Sequence, residues 1–380
     1  MKTKKLLLFA IVPLLMTSCG PKSDPGKNVS ITDAQGRTVT YNDKKINRII
    51  CLGAGALRYY SYVCDMKNII AVEEIDSATT FGVGEALRPY YIANYDTLKS
   101  KKVVTKGGPM AQTLDKINTE NIIKANPDLI VSFLSGDINN KLEEMLETPV
   151  IGLKQGMDGV FSEEAINSLR VLGTVFNKTE RAEELINYID TCKDDFKDLT
   201  MTTEKYYFGG IGNWGTTSML GTMIGFPVAK YAKVTPAITK AKNADGETIT
   251  RGQGNTDIES LIAANPDKVF LDTAGINGFI SDYKADDNAS KYDSLKAFED
   301  GETYFLMPYN AYYTNLEIQL MSTYYVASIA HPNEFEHFDI AKKLNEITSR
   351  FLGKEMYNEI KTHKYGLGGY GAFDVKEIIK

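Results

Sequence analysis

Histidine and tryptophan are scarce in this sequence of 380 residues, which contains three histidines and one tryptophan. The histidines, His331, His337 and His363, all lie in the C-terminal part of the chain. Because residues six positions apart do not share one face of a helix, His331 and His337 do not form a metal-binding pair. The sequence therefore argues against a zinc or manganese site built on several histidines.

The sequence also lacks a strong excess of charge of either sign. Lysine and arginine together number 43 and aspartate and glutamate 49, which gives a net charge of −6. This balance excludes a polycationic nucleic-acid-binding protein, and the hydrophobic content of 43% is enough for ordinary globular cores. At about 150 residues per domain, the length predicts two domains.

Familiar catalytic motifs are missing as well. The sequence has no Gly-x-Ser-x-Gly, no P-loop and no His-Glu-x-x-His, which are typical of hydrolases, nucleotide-binding enzymes and metalloproteases. The turn from Gly53 to Arg58 carries arginine where a dinucleotide fingerprint needs a third glycine or alanine. We therefore expect a protein that catalyses no reaction and holds no cofactor.

The four cysteines follow no zinc or redox spacing. Cys51 lies in a strand-like run and Cys64 in a helix-like run. We expect these two and Cys192 to be buried free thiols rather than partners in a disulfide, because free cysteine packs as a small apolar side chain.

The first twenty residues have the pattern of an export signal. Basic residues precede an apolar run from Leu6 to Met16, which is too short to span a bilayer. Small residues then precede Cys19, an order that resembles a bacterial lipobox, in which the cysteine is lipidated and becomes the mature N terminus. We predict a signal peptide over 1–18, lipidation of Cys19 and a flexible tether over 19–28, with a plain secretory signal as the alternative.

Short β-rich runs alternate with amphipathic helical runs, which predicts an α/β fold with parallel sheets. A helical stretch over about 162–199, with a break at Asn177–Lys178, separates two strand-rich halves, and a mostly helical tail runs from Asn315 to His363. The predicted strands are Arg48–Leu52, Ile69–Val72, Lys102–Thr105, Leu129–Phe133 and Pro149–Leu153 in the first half, and Lys205–Gly209, Lys268–Leu271 and Thr303–Met307 in the second.

An internal repeat links the two halves. The stretch that begins at Glu120, Glu-Asn-Ile-Ile-Lys-Ala-Asn-Pro-Asp-Leu-Ile-Val, is echoed from Glu259 by Glu-Ser-Leu-Ile-Ala-Ala-Asn-Pro-Asp-Lys-Val-Phe. Each copy predicts a helix that ends at Asn-Pro, because proline disfavours helical geometry in the residue before it, and then a buried strand. The repeat therefore predicts two lobes of similar build.

At this level of detail the sequence resembles the substrate-binding lipoproteins of ABC importers that serve iron–siderophore, haem and cobalamin uptake. The resemblance covers nearly the whole mature chain, and two stretches are similar to the narrower group of iron-complex importers. The residues that carry it are Cys19, Val29–Val39, Ile49–Leu57, Gly107-Gly108-Pro109 and the paired Asn-Pro-Asp motifs, and for the narrower group Leu306–Glu317 and Phe351–Lys354.

The resemblance implies two Rossmann-like lobes with central parallel sheets, joined by one long helix, with a ligand cleft between them. We expect an N-terminal lobe over 29–160, a connecting helical segment over 161–200 and a C-terminal lobe with the helical tail over 201–380. The implied location is extracytoplasmic, at a membrane surface through the lipid anchor, and the implied partners are an ABC permease and its ATPase subunits. We expect a monomer that binds no nucleic acid.

Two acidic residues are the implied docking contacts with the permease. By motif position they are Glu120 and Glu259, the first residues of the two repeat copies. One such charge on each lobe would attract the permease electrostatically and fix the orientation in which the two proteins dock. The alternative is that both are ordinary exposed acids in the first turn of a helix, where the helix dipole favours negative charge.

Ligand-binding residues are expected in the loops that follow the strands, where open α/β sheets bind their ligands. Arginines offer a fork for carboxylate or phosphate, glycines allow close backbone approach, and aromatic faces suit flat or cationic ligands. Any one tyrosine is still more often an ordinary half-buried residue. The predicted ligand residues are Arg58, Tyr59, Arg88, Tyr90 and Gly108 in the first lobe, and Asn213, Trp214, Tyr309, Asn310, Tyr312 and Tyr313 in the second.

The cargo that best suits these features is an iron(III) complex of the siderophore type. Ferric iron is a hard cation that prefers oxygen ligands, and phenols can stack on macrocycles or donate hydrogen bonds. Haem or a corrinoid such as cobalamin in the same fold is one alternative. A lipid-anchored α/β enzyme, for instance a chelatase or hydrolase, is an alternative of another class.

Overall fold

The computed structural model describes residues 26–77, 87–107, 113–212, 217–285, 288–362 and 369–380. The predicted signal peptide and the lipidation residue Cys19 lie outside the described residues. Within these ranges, none of the helices has the length and apolar character needed to cross a membrane.

The N-terminal lobe is built on a parallel sheet with the strand order β5-β4-β3-β6-β7. An antiparallel hairpin of β1 and β2 precedes it. Every strand predicted for this lobe is present within one residue at each end. The strands are β1 (Asn28–Thr32), β2 (Thr38–Asn42), β3 (Ile49–Leu52), β4 (Ile69–Glu73), β5 (Lys102–Thr105), β6 (Leu129–Ser132) and β7 (Val150–Gly152).

Helices cover both faces of this sheet. Ile49 and Cys51 on β3 pack into one apolar cluster, whereas Ile50 and Leu52 pack into another on the opposite face. Successive side chains of a strand point to opposite faces, so a strand buried on both sides reads as a continuous apolar run. The helices are α1 (Ala56–Val63), α2 (Pro89–Ala93), α3 (Tyr95–Leu98), α4 (Thr119–Ala125) and α5 (Gly136–Leu146).

The turn of the β1–β2 hairpin covers the edge of this sheet at β7. The buried Asp33 accepts a hydrogen bond from the Gly152 backbone N–H at 2.9 Å, and Arg37 donates to the Val150 carbonyl at 3.0 Å. These contacts give the stretch Val29–Val39, one of those behind the family resemblance, a structural role, because an exposed strand edge invites pairing with other chains.

The connection between the lobes consists of two helices, α6 (Glu163–Val175) and α7 (Thr179–Asp194), which pack against each other. It therefore differs from the one long helix that the resemblance implies, and agrees with the break predicted at Asn177–Lys178. The physical reason is Asn177, whose φ of 53° lies in the left-handed region and ends the first helix.

The C-terminal lobe has a second sheet, with the strand order β10-β8-β14-β15-β16, which is parallel except at its β16 edge. A separate small antiparallel sheet, in the order β12-β11-β13-β9, was not predicted because its strands are very short or rich in glycine. The strands are β8 (Lys205–Gly209), β9 (Gly221–Ile224), β10 (Thr235–Pro236), β11 (Ala241–Lys242), β12 (Thr248–Ile249), β13 (Gly252–Asn255), β14 (Lys268–Asp272), β15 (Thr303–Leu306) and β16 (Gly371–Ala372).

The predicted helical tail corresponds to three helices, α13 to α15. Helix α13 is buried on all sides from Leu316 to Ala327 and carries buried polar residues such as Glu317 and Gln319 among its apolar ones. Helix α14 packs against α1, α2 and α7 rather than remaining with the C-terminal sheet, so the tail returns to the first lobe. The helices of this half are α8 (Pro227–Tyr231), α9 (Ile258–Ala264), α10 (Ile276–Tyr283), α11 (Asn288–Asp293), α12 (Lys296–Glu299), α13 (Leu316–Ala330), α14 (Ile340–Leu352), α15 (Tyr357–Thr362) and α16 (Val375–Ile378).

The two repeat copies adopt the same local structure. Helices α4 and α9 end at Asn126 and Asn265, which have φ values of 52° and 42°. Asparagine tolerates this left-handed geometry, and the proline that follows it cannot continue a helix. The repeat therefore consists of a helix, an asparagine cap and a strand, as predicted.

The aspartate of each repeat fastens its strand to the neighbouring one. Asp128 accepts the backbone N–H of Arg48 at 3.0 Å, just before β3. Asp267 accepts the backbone N–H of Lys205 at 2.8 Å, at the start of β8. The mixed α/β fold with two lobes is thus confirmed, and the equivalent contacts support an origin of the lobes as related halves.

The three cysteines among the described residues are buried and form no disulfide, as predicted. One apolar cluster runs through both lobes, with Leu57 and Leu172 on the N-terminal side and Phe208 and Leu320 on the C-terminal side. The lobes therefore share part of their core. The proposed lobe boundaries at 160 and 201 stay a prediction.

Candidate functional site

The post-strand loops of the two lobes meet at a junction between the sheets. The loop after β15, residues 307–315, contacts the first turn of α1 and the end of β4. These are carboxyl ends of parallel strands, the position where ligand loops were expected. We take this junction as the candidate site.

Arg58 fastens the junction from the N-terminal side. It lies in the first turn of α1 and its side chain is fully buried. One guanidinium nitrogen donates to the Tyr312 carbonyl at 2.9 Å, and the other donates to the Ala311 carbonyl. The guanidinium carbon also lies 4.9 Å from the centre of the Tyr90 ring. Its terminal nitrogens therefore bind the backbone of the second lobe, where a ligand carboxylate or phosphate was expected.

Glu73, the last residue of β4, is a second link that the sequence analysis missed. One carboxyl oxygen accepts the Gly53 backbone N–H at 3.0 Å, and the other accepts the Tyr312 hydroxyl. Burial raises the pKa of Glu73 to about 8, an effect that hydrogen bonding from Tyr312 opposes. At Gly107, which has a φ of 68°, a Cβ would lie 2.7 Å from the Glu73 side chain, so only glycine fits. The sequence feature that could have identified Glu73 is its place as an acid at the end of an otherwise apolar strand.

Arg88 and Tyr90 also have partners within the N-terminal lobe. The Tyr90 hydroxyl donates to the Asp76 carboxylate, and Arg88 donates to the Ile75 carbonyl. Burial raises the pKa of Asp76, although the nearby Arg88 guanidinium opposes this shift. The Arg88 guanidinium lies 4.7 Å from the centre of the Tyr91 ring. These contacts form a buried polar network behind the junction.

Asp272 is a buried acid of the C-terminal lobe that holds a post-strand loop, as Glu73 does in the first lobe. It is the last residue of β14, and its carboxylate accepts the backbone N–H groups of Tyr309 and Ala274, each at 2.9 Å. Burial raises its pKa to about 7. Asp272 thereby fixes the start of the loop after β15. Within that loop the buried Asn310 accepts a hydrogen bond from the Thr314 hydroxyl at 3.1 Å.

Tyr313 is the exposed member of the predicted ligand set within the described residues. Its residue surface is 47% exposed, whereas Tyr312 beside it is 4% exposed and Tyr309 3% exposed. The Tyr313 ring centre lies 6.0 Å from that of Phe133, which follows β6. Tyr59, by contrast, is fully buried, with its ring centre 4.9 Å from that of Phe133. The structure therefore places Tyr59 in the core of the first lobe and leaves Tyr313 open to solvent.

Three further predicted ligand residues, Gly108, Asn213 and Trp214, lie outside the described residues. Among the residues that the structure does describe, no group of three or more histidine, cysteine, aspartate or glutamate side chains is arranged to hold a metal ion.

The predicted docking residues lie at equivalent places in the two lobes. Glu120 is in the first turn of α4 and Glu259 in the first turn of α9, with side chains 78% and 69% exposed. Glu120 pairs with Lys124 at 2.6 Å and Glu259 with Lys291 at 3.1 Å. Exposed ion pairs of this kind contribute little to stability, so both carboxylates remain accessible to a partner.

Comparison with known proteins finds this architecture among periplasmic solute-binding proteins. A family model described as periplasmic binding protein matches residues 90–297. No curated protein matches the sequence. A periplasmic solute-binding protein from Veillonella parvula is 18% identical, with 88% of this chain and 96% of that one covered and a TM-score of 0.63.

Two other solved structures share the fold and were determined with different ligands. The molybdate-binding protein MolA of Haemophilus influenzae, bound to molybdate, is 15% identical, with 86% of this chain and 98% of that one covered and a TM-score of 0.60. CeuE of Helicobacter pylori with Ni(II) bound is 14% identical, with 86% and 96% covered and a TM-score of 0.54. At these identities the likeness establishes the fold.

The raised pKa of Glu73 predicts a pH dependence of stability. The ordinary pKa of the group is 4.5 and that in the folded protein about 8, so the folded state binds more protons than the unfolded chain between these values. The free energy of unfolding therefore falls as pH rises through this window, by at most about 1.4 kcal/mol per pH unit for one group. Asp272 adds a fall in the same direction up to about pH 7.

Glu73→Gln keeps the size of the side chain and an acceptor for Gly53 but cannot ionise. We expect urea unfolding curves at pH 5.5, 7 and 8.5 to show a shallower loss of stability with rising pH in this variant. Glu74→Gln, a change at the adjacent half-buried residue, is the control and should keep the dependence of the unchanged protein. Parallel curves for Glu73→Gln and the unchanged protein would contradict the assignment.

Proposed function

The chain belongs to the periplasmic binding protein family, and we propose on that premise that it is the substrate-binding component of an ABC importer, which captures an iron(III) complex between its lobes. Membership implies a location outside the cytoplasm and partnership with a permease and its ATPase subunits. The observation that carries the proposal is the match of the family model over residues 90–297, on a fold whose post-strand loops meet between two lobes.

The cargo is proposed from the chain itself, because relatives of the same fold are named for different ligands. The stretch Leu306–Glu317, which is similar to iron-complex importers, supplies the junction loop and its exposed Tyr313. A phenol offers an oxygen to a hard cation and a face to an aromatic chelator. Haem or a corrinoid stays the second candidate, favoured by the pairing of Tyr313 with Phe133, since aromatic faces suit a flat macrocycle.

A lipid-anchored enzyme would need acids or bases with shifted pKa values that a substrate can reach. Glu73 and Asp272 have raised pKa values, but each is only 2% exposed. Their oxygens accept hydrogen bonds from Gly53 and Tyr312 in one case and from Tyr309 and a second backbone N–H in the other. These contacts support a role in holding the loops, and they favour reversible binding over turnover.

Binding of coloured candidates tests the cargo. We expect purified protein to retain a ferric trihydroxamate through gel filtration, measured by its absorbance, and to retain less haemin or cyanocobalamin. Trp214 is the single tryptophan, so a change in fluorescence excited at a wavelength that tyrosine does not absorb reports on that residue alone. Trp214→Ala should raise the Kd about tenfold if an aromatic contact is lost.

Tyr95→Ala removes another aromatic side chain, 46% exposed and outside the predicted ligand set, and should leave the Kd unchanged. Retention of haemin or cyanocobalamin alone would replace the iron complex with the second candidate. Unchanged fluorescence together with an unchanged Kd in Trp214→Ala would remove Trp214 from the binding site.

Charge reversal tests the proposed docking residues. We expect Glu120→Arg combined with Glu259→Arg to reduce cargo uptake by cells about tenfold or more while leaving the Kd for cargo unchanged, because these carboxylates would face permease arginines. The control is Glu180→Arg with Glu359→Arg, which reverses two exposed acids in the first turns of α7 and α15. Equal uptake by the two double variants would exclude the docking role.

Lipidation is proposed at Cys19, with residues 19–28 as the tether. Cys19→Ala should move the protein from the membrane fraction to the soluble envelope fraction, because one lipidated residue is then lost. Cys192→Ala, which removes a buried thiol instead, should stay with the membranes. Continued membrane retention of Cys19→Ala would contradict lipidation at Cys19 and point to another anchor.

A further inference from the structure

The loop over residues 309–315, here called the tyrosine turn, has a backbone geometry that its sequence does not favour. Tyr312 and Tyr313 have φ values of 59° and 66°. Two successive residues in the left-handed region are ordinarily glycine or asparagine, because a side chain beyond Cβ collides with the backbone there. Such strain persists only where the surroundings impose it, and it clusters at functional positions.

Two of the groups that hold the tyrosine turn come from the other lobe. Arg58 donates to the carbonyls of Ala311 and Tyr312, which lie at the strained positions or directly before them. Glu73 accepts the Tyr312 hydroxyl. Within its own lobe the turn is held by the Asp272 carboxylate, which accepts the Tyr309 N–H. Two backbone bonds also close it, from the Ala311 N–H to the Tyr313 carbonyl and from the Asn315 N–H to the Tyr309 carbonyl, each at 3.0 Å.

The side chain that results from this geometry is exposed. Tyr313 is 47% exposed, whereas its neighbours Tyr312 and Thr314 are 4% and 5% exposed. Its Cβ lies 3.5 Å from the position that a Cβ on Gly55 would take, and its ring is tilted by 57° against that of Phe133 across the junction. A strained backbone therefore presents a single aromatic ring where the two lobes meet.

We propose that Arg58 and Glu73 are positioning residues that hold Tyr313 at the junction as a preformed cargo contact. The identity of the cargo in this proposal rests on the proposed function, whereas the hold of Arg58 and Glu73 on the turn does not.

The clamping is tested without cargo. We would incorporate 3-fluorotyrosine at position 313 and record its fluorine resonance in the full chain and in Tyr312→Phe and Arg58→Lys. Both variants should shift or broaden the resonance, because each removes a clamp while leaving residue 313 unchanged. A probe at Tyr95, 46% exposed and away from the turn, should not respond. An unchanged resonance at position 313 in Tyr312→Phe would overturn the proposal even if Arg58→Lys fails to fold.

The link to cargo is tested with a ferric trihydroxamate as the probe. We expect Tyr312→Phe to raise its Kd roughly fivefold, because fewer molecules hold the turn in the binding geometry. Tyr324→Phe, which removes another buried tyrosine hydroxyl bonded to a carboxylate, Asp195, is the matched control and should bind as the unchanged protein does.

A double variant separates positioning from general loss of structure. If Tyr312 acts through Tyr313, then Tyr312→Phe should add no further loss of affinity in a Tyr313→Ala background. Additive losses would overturn the positioning role. If the unchanged protein does not bind the trihydroxamate, the proposed iron cargo fails, and the fluorine resonance still decides whether the clamps hold the turn.

Discussion

The buried guanidinium of Arg58 is the interaction on which the junction depends. A cation removed from water is costly unless its donors are satisfied, and here two of its nitrogens donate to carbonyls that belong to the other lobe. The face of Tyr90 covers the charge on another side. If the lobes moved apart without water reaching it, the Arg58 guanidinium would lose these acceptors. Separation of the two lobes at this point would therefore cost free energy, and the other contacts of the junction lie around Arg58.

In each lobe a buried acid at the end of a strand holds a neighbouring loop. Glu73 and Asp272 are each the last residue of a strand, and each accepts the N–H of a loop that follows a neighbouring strand. Burial raises both pKa values, so the neutral form persists to a higher pH than in water. Glu73 differs in one respect, because its second oxygen accepts a hydroxyl from the opposite lobe. Each of these two acids thus holds a loop within its own lobe, and Glu73 is also part of the contact between the lobes.

Much of the fold was predictable because apolar runs of strand length are buried on both faces, and the Asn-Pro-Asp repeat marks equivalent helix ends. The orientation of the side chains at the site was harder to predict from the sequence. Tyr59 follows Arg58 in the first turn of α1, and the sequence does not distinguish a ring in the core from one in a cleft. The partners of Arg58 lie some 250 residues further along the chain, so its burial depends on tertiary contacts. The exposure of Tyr313 follows from a strained turn that no local preference predicts, whereas Glu73 could have been found as an acid that ends a buried strand.

These contacts also limit what kind of cleft this protein can have. Arg58, Tyr90, Tyr309 and Tyr312 are buried and engaged within the protein, so they cannot all be ligand contacts while the lobes are closed in this arrangement. A cargo must either meet the exposed surface around Tyr313 or displace part of the junction. In both cases binding and lobe geometry share the same residues. By linkage, a cargo that prefers the held turn must stabilise the junction by as much as the junction strengthens its binding. The contacts between Arg58, Glu73 and the tyrosine turn therefore couple the affinity for cargo to the contact between the lobes.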